Sequence, residues 1–235
     1  MDEQVLVVAV FSYVSFLFST VCHEAGHALA AKLGGDLTAY HNGQVSLSPV
    51  PHIMQEPIGL GLVPLVSLFI SLQSGGLGVI GFASAPFDPQ WSLRHPKRAA
   101  WMAMAGPAAN FLLAGIGIAC IKIGVALGAF NVSPRAYYWR LVDAPGSAVI
   151  EGMAVLFSVL FFENMLLGVW NLLPIPPMDG FSAALFFLPE RKVSQFLEIR
   201  QQIGMFYPMI MIALSSVFWV VFDPILSFVT MALLF

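Results

Sequence analysis

A chain of 235 residues could hold one or two soluble domains, but 58% of its residues are apolar, 10% are charged and the mean hydropathy is +0.83. Soluble domains carry about 25% charged residues, so this few cannot cover a soluble globule, and the composition is that of a membrane protein. The net charge of −3 supplies no basic field and excludes nucleic acid as a partner.

The chain opens on Asp2 and Glu3, where a signal peptide would carry positive charge, so the first apolar run reads as a retained helix. No charge interrupts Val5 to Cys22, and the helical pattern runs on to Lys32 before Gly34-Gly35 stops it, giving a first span over residues 5–33. Such a helix is roughly 40 Å long, enough to cross a bilayer. Residues 37–40 and 45–48 flank His41-Asn42-Gly43-Gln44 and read as strand, turn, strand, a small membrane-associated β-hairpin over 37–48. Residues 58–85 are apolar but broken by Pro64 and by Gln73-Ser74-Gly75-Gly76, and periodicity does not choose between a full span and a re-entrant segment. Polar, basic residues 86–98 follow. A second long span covers 99–130, with Lys122 placed near its far end to snorkel. After the polar loop 131–147 come a span over 149–173, a charged amphipathic stretch over 189–202 and a span over 203–222, with Asp223-Pro224 as a boundary or kink. Cys22 and Cys120 lie in apolar runs outside any C-x-x-C pair and read as buried structural residues. The expected fold is one all-α polytopic domain over residues 1–235 with about 4–6 transmembrane helices.

His23-Glu24-Ala25-Gly26-His27 is the most chemically loaded stretch. Histidines at i and i+4 share a helix face and can reach one zinc, and the adjacent Glu24 can take a proton from a zinc-bound water. On an ordinary surface helix the pentapeptide would carry little weight. Here it closes a charge-free span, where ionisable groups are costly and functional by default. Two histidines leave a catalytic zinc short of its usual three protein ligands. Among the distant carboxylates Asp179 stands apart: Pro174, Pro176 and Pro177 break the backbone before it and Gly180 follows. Broken backbone at membrane depth is tolerated only where it lines protein or a wet cavity. The alternative is a helix-capping aspartate at the membrane surface.

HEAGH at 23–27, AGPAANF at 105–111 and NLLPIPPMDG at 171–180 occur in the order H-E-x-x-H, G-P-x-x-N, N-x-x-P-x-P-x-x-D-G, which resembles the site-2 protease family of intramembrane metalloproteases. VSLSPVPHI at 45–53 also looks like the family's segment after the first motif, and the resemblance covers roughly residues 5–190. Met178 stands where leucine is commoner, a volume-conserving swap. The resemblance implies one zinc per chain held by His23, His27 and Asp179, with Glu24 as the catalytic residue. It implies cleavage of peptide bonds in or near the transmembrane helix of a membrane-protein substrate. No PDZ or CBS domain is expected within these residues.

The three motifs meet at one depth only if segment 58–85 re-enters and returns. That arrangement gathers Lys32, Arg94, Lys97, Arg98, Arg191 and Lys192 on the side of the site, with Asp2 and Glu3 opposite. By the positive-inside rule the site then lies toward the cytosol, in a prokaryotic inner membrane, although Arg135 and Arg140 fall on the outer side. Asn110 and Asn171 are candidates for substrate or oxyanion contact, with helix–helix hydrogen bonding as the alternative. Asn164 is read as packing, Glu163 receives no catalytic role, and His41 and His52 are read as exposed. The 37–48 hairpin could lend an edge to an unwound substrate. A catalytically silent zinc-binding scaffold is the rival reading; it has no need of Glu24.

Overall fold

The computed structural model describes residues 3–73, 78–137 and 139–234. Asp2 and the Ser74-Gly75-Gly76 break lie outside them, as does the side chain of Arg135. The first helix, α1, runs from Glu3 to Gly34 as one rod of 32 residues, with Lys32 in its last turn and Gly35 at φ 98° ending it. Short helices α2 (Thr38–His41) and α3 (Pro49–Gln55) follow. A π-helical turn over Pro57–Leu62 then leads into α4 (Val63–Gln73).

The expected hairpin over 37–48 is not formed. Asp36 accepts hydrogen bonds from the Thr38 N–H at 2.9 Å and the Thr38 hydroxyl at 2.6 Å, and this turn starts a helix where the alternation of residue types suggested a strand.

Segment 58–85 folds back on itself. After α4 the chain returns extended: the Gly78 N–H donates to Ser71 Oγ at 2.8 Å, Ile80 N–H to Ser67 Oγ at 2.9 Å and Phe82 N–H to the Gly59 carbonyl at 3.0 Å. The Ser84 hydroxyl closes the loop on Glu56 Oε1 at 2.6 Å, so the segment leaves on the side from which it entered.

Helix α5 (Pro89–Arg94) is capped by Asp88, and α6 (Pro96–Ala126) starts with proline in its first turn. The sheet lies beyond α6: strands β1 (Asn131–Tyr137) and β2 (Arg140–Asp143) pair antiparallel with Val132 opposite Val142. This is the stretch read from sequence as a polar loop. Leu141 and Val142 are nevertheless buried against Ile121, Phe161 and Phe222. Helix α7 (Ala148–Asn171) is capped by Ser147; after it come α8 (Asp179–Ala183), α9 (Val193–Ile203) and α10 (Tyr207–Leu234). The last helix runs through Pro224, so of the boundary or kink expected at Asp223-Pro224 the boundary is not formed. Its Phe218 stacks edge-on against Trp170 of α7 at 4.7 Å.

Among the described residues α1, α6 and α7 are each long and apolar enough to cross a membrane, so the all-α architecture is that of an integral membrane protein. His27 meets Met102 and Ser19 meets Asn110, so α1 and α6 run antiparallel. Gly117 packs on Phe161 and Gly168 on Phe111, so α6 and α7 do too. The C-terminal halves of α1 and α7 and the N-terminal half of α6 therefore share one end of the bundle. That is the end at which α8 begins.

Candidate metal centre

Each functional side chain arrives from a different kind of element. His23 and His27 are one turn apart on α1, both buried, with rings edge-to-face at 4.6 Å between centroids. Asp179 is the first residue of α8, beyond the irregular Leu172–Met178 backbone. Its Oδ2 lies 3.0 Å from His23 Nε2 and 3.2 Å from His27 Nε2, and the two nitrogens are 3.0 Å apart. Three donors on so small a triangle match the spacing of ligands around tetrahedral zinc, roughly 3.3 Å for bonds of about 2.0–2.1 Å.

The other ring nitrogens support the same fit. His27 Nδ1 donates to the Met102 carbonyl at 2.7 Å, and His23 Nδ1 to Asn110 Oδ1 at 2.6 Å. With both Nδ1 atoms protonated, both Nε2 lone pairs face the shared centre, the pattern of metal-ligating histidines. Gly106 keeps that centre open. A Cβ on it would stand 2.6 Å from His23 Nε2 and closer still to His27 Nε2. Glu24 completes the site: it is 5% exposed, and its Oε2 is buried without a hydrogen-bond partner. An orphaned carboxylate next to a three-donor cluster is where a metal-bound water would find its base.

The remaining sequence candidates fall in different places. Asn110 is fully buried and both its ends are occupied, the oxygen by His23 and the nitrogen by Asn164 Oδ1 at 3.0 Å and the Ser19 carbonyl at 3.4 Å. Both of its amide hydrogens are thus directed to protein acceptors, and its oxygen faces His23 Nδ1. Asn171, the last residue of α7, is partly exposed and donates to the Leu167 carbonyl at 3.0 Å. His52 is not exposed; it is buried, with Nε2 at 2.9 Å from the Ser46 carbonyl, whereas His41 is on the surface. Glu163 Oε2 is buried without a partner. Cys22 and Cys120 are free thiols, each partly exposed. Gly106 was missed as a functional position. Its signal was its place as the glycine of the G-P-x-x-N motif, one turn before Asn110 on the same face of the same helix.

The chain belongs to peptidase family M50, whose family model matches residues 11–215. It is 28% identical over 169 residues to YwhC of Bacillus subtilis, a zinc metalloprotease by name, an overlap covering 72% of this chain and 64% of that one. It is 29% identical to Rip2 of Mycolicibacterium smegmatis (72% of this chain, 53% of that) and 31% identical to Rip2 of Mycobacterium tuberculosis (75% and 56%), which bear the same description. The matched region thus spans between about half and two thirds of the length of these curated relatives. No solved structure matches the chain.

Proposed function

We propose that this protein is a zinc-dependent intramembrane endopeptidase that hydrolyses peptide bonds in or near transmembrane segments of membrane-protein substrates. The observation that carries the reading is the convergence of His23 Nε2, His27 Nε2 and Asp179 Oδ2, with the unpartnered Oε2 of Glu24 on the residue next to His23. Zinc bound there would supply an acidified water and polarise the scissile carbonyl. Glu24 takes the water's proton at its free oxygen and returns it to the leaving amine. Burial of Glu24 and both histidines in the bundle keeps bulk water from competing for that proton. Asn171 has the exposure that a contact with the substrate backbone needs.

Substrate must be extended to be cut, and the returning limb of the folded-back segment suits strand addition. Gly78, Ile80 and Phe82 point their N–H groups at the segment itself. Strand alternation turns those of Val79, Gly81 and Ala83 to the other edge. Val79 and Ala83 pack against the cluster of Phe16, Val21 and Leu60, against which Leu167 of α7 also packs, and this sets the limb beside the helices that build the site. Proline at Val79 or Ala83 should abolish cleavage while zinc stays bound; retained cleavage would dismiss the edge.

The basic groups of Lys32, Arg94, Lys97 and Arg98 cluster at the site's end of the bundle, which favours a cytosolic-facing site in a prokaryotic inner membrane. The deciding experiment is cleavage of a panel of single-span substrates by wild type, Glu24→Gln and chelated protein. Loss in both treated samples is expected. Cleavage surviving Glu24→Gln overturns the mechanism. Bound zinc without turnover by wild type leaves the silent scaffold as the better reading.

A further inference from the structure

We propose that Asn164 and Ser19, neither of which touches the three metal donors, decide which nitrogen of His23 is presented to the metal. The inference rests on the zinc reading above and extends it to residues that the family motifs do not include. It follows from the direction of a hydrogen-bond chain that is anchored on a group that can only accept.

That anchor is the Leu160 carbonyl, one turn before Asn164 on α7. Asn164 Nδ2 lies 2.8 Å from it and 2.8 Å from Ser19 Oγ, so the NH₂ end of Asn164 is committed to these two acceptors. Its Oδ1 must then face Asn110, where it meets Nδ2 at 3.0 Å. The second hydrogen of the Asn110 amide is directed to the Ser19 carbonyl at 3.4 Å. With its nitrogen so engaged, Asn110 presents only oxygen to His23 Nδ1, at 2.6 Å. An amide oxygen accepts and cannot donate, so the proton resides on Nδ1 and the lone pair on Nε2.

Reversing Asn110 would place an NH₂ group against Nδ1. That would favour the tautomer with its proton on Nε2, which cannot ligate. Ser19, Asn110 and Asn164 are all 0% exposed, so bulk water offers no substitute partner if the chain is cut. His27 needs no relay, because its Nδ1 reaches the Met102 carbonyl directly. The dependence on a second and third side chain is peculiar to His23. Asn164 and Ser19 are positioning residues: they act through Asn110.

The test is zinc affinity of the full-length protein, by chelator competition, for Asn164→Leu made in the wild-type and in the Asn110→Asp backgrounds. A carboxylate at position 110 accepts at either end and has no wrong orientation, so it should not need Asn164. The expected result is a loss of about tenfold in the wild-type background, as for other outer-shell groups, and no more than roughly twofold in the Asn110→Asp background. Equal loss in both backgrounds, or none in either, overturns the relay. Thermal melting of the metal-free proteins reports folding, and Asn164→Ser replaces Asn164→Leu if the latter does not fold. Imidazole ¹⁵N shifts of metal-free protein read the tautomer without metal: His23 protonated at Nδ1 in wild type and mixed in Asn164→Leu. An unchanged tautomer overturns the relay. Wild type that binds no zinc at all, with the tautomer shift still present, defeats the zinc reading alone.

Discussion

The histidine half of the centre and the aspartate half are held by different forces. His23 and His27 sit side by side on a 32-residue helix, and each ring is fixed by a directed hydrogen bond of 2.6 or 2.7 Å to an acceptor on α6. Asp179 begins a helix of five residues at the end of an irregular stretch. What holds that helix is packing: Gly180 lies against the Leu172 carbonyl, and Phe181 stacks on Phe196 of α9 at 4.2 Å and 14°. Hydrogen bonds specify angle and tautomer, whereas apolar contact specifies only proximity. The histidine pair is thus preorganised for metal, and the aspartate is the ligand placed by packing, of α8 on α6 and of Phe181 on α9.

Closing the space between the halves should have the largest effect. Gly106→Ala sets a methyl group against both Nε2 atoms, and the purified protein should then carry no stoichiometric zinc and cleave nothing. Crowding the two buried rings costs about 1–3 kcal/mol, which alanine's better helix propensity of roughly 1 kcal/mol offsets only in part, so melting of the metal-free protein should fall modestly while the protein still folds. A variant that keeps both zinc and cleavage would show that the space over Gly106 is not the metal's. Glu24→Gln comes next and leaves both halves in place: zinc content stays at one per chain and turnover falls by about 10²–10⁴-fold, the range of a lost general base.

The comparison itself is tested by loosening the aspartate half alone. Phe196→Ala removes the stack on Phe181, and aromatic pairs contribute about 0.5–1.5 kcal/mol, so zinc affinity should drop by up to about tenfold. The His23 tautomer should not change. Unaltered zinc affinity would mean that Asp179 is held by its own loop and by the packing of α8 on α6, and not by α9.

These differences in physics also mark how far the sequence could be read. The histidine pair and Glu24 were legible because helical spacing is local, and Asp179 because three prolines and a glycine announce broken backbone around it. The antiparallel course of the three long helices followed from their apolar lengths and the need for the motifs to meet. Asn110 was visible but its role was not, since its partner His23 is 87 positions away and only packing brings them together. The hairpin was assigned to 37–48 because residue types alternate there, yet a side chain–backbone turn at Asp36 overrode the alternation. The actual strands, at 131–137 and 140–143, include Pro134 and a register shift between Val132 and Tyr137, which blur the period-two pattern.

The smallest effect concerns that same turn. Asp36 is buried and accepts from the Thr38 N–H, the Thr38 hydroxyl and, at 2.8 Å, the Asp88 N–H, so it ties the end of α1 to α2 and to the cap of α5. Burial acts to raise its pKa, but the hydrogen bonds from Thr38 and Asp88 outweigh it and hold the carboxyl below its ordinary 3.8. A carboxylate with a depressed folded-state pKa contributes its stability fully above the unfolded value and loses it as pH falls through the folded one. Asp36→Asn should therefore lower the stability of metal-free protein by about 1.5–3 kcal/mol at pH 7, the range for bonds to a charged acceptor. The gap from wild type should stay constant down to about pH 5 and shrink below about pH 4. Melting of both proteins across that range checks it, with metal removed so that zinc release in acid does not intrude. A gap that is independent of pH would mean that Asp36 holds the turn by its shape and not by its charge.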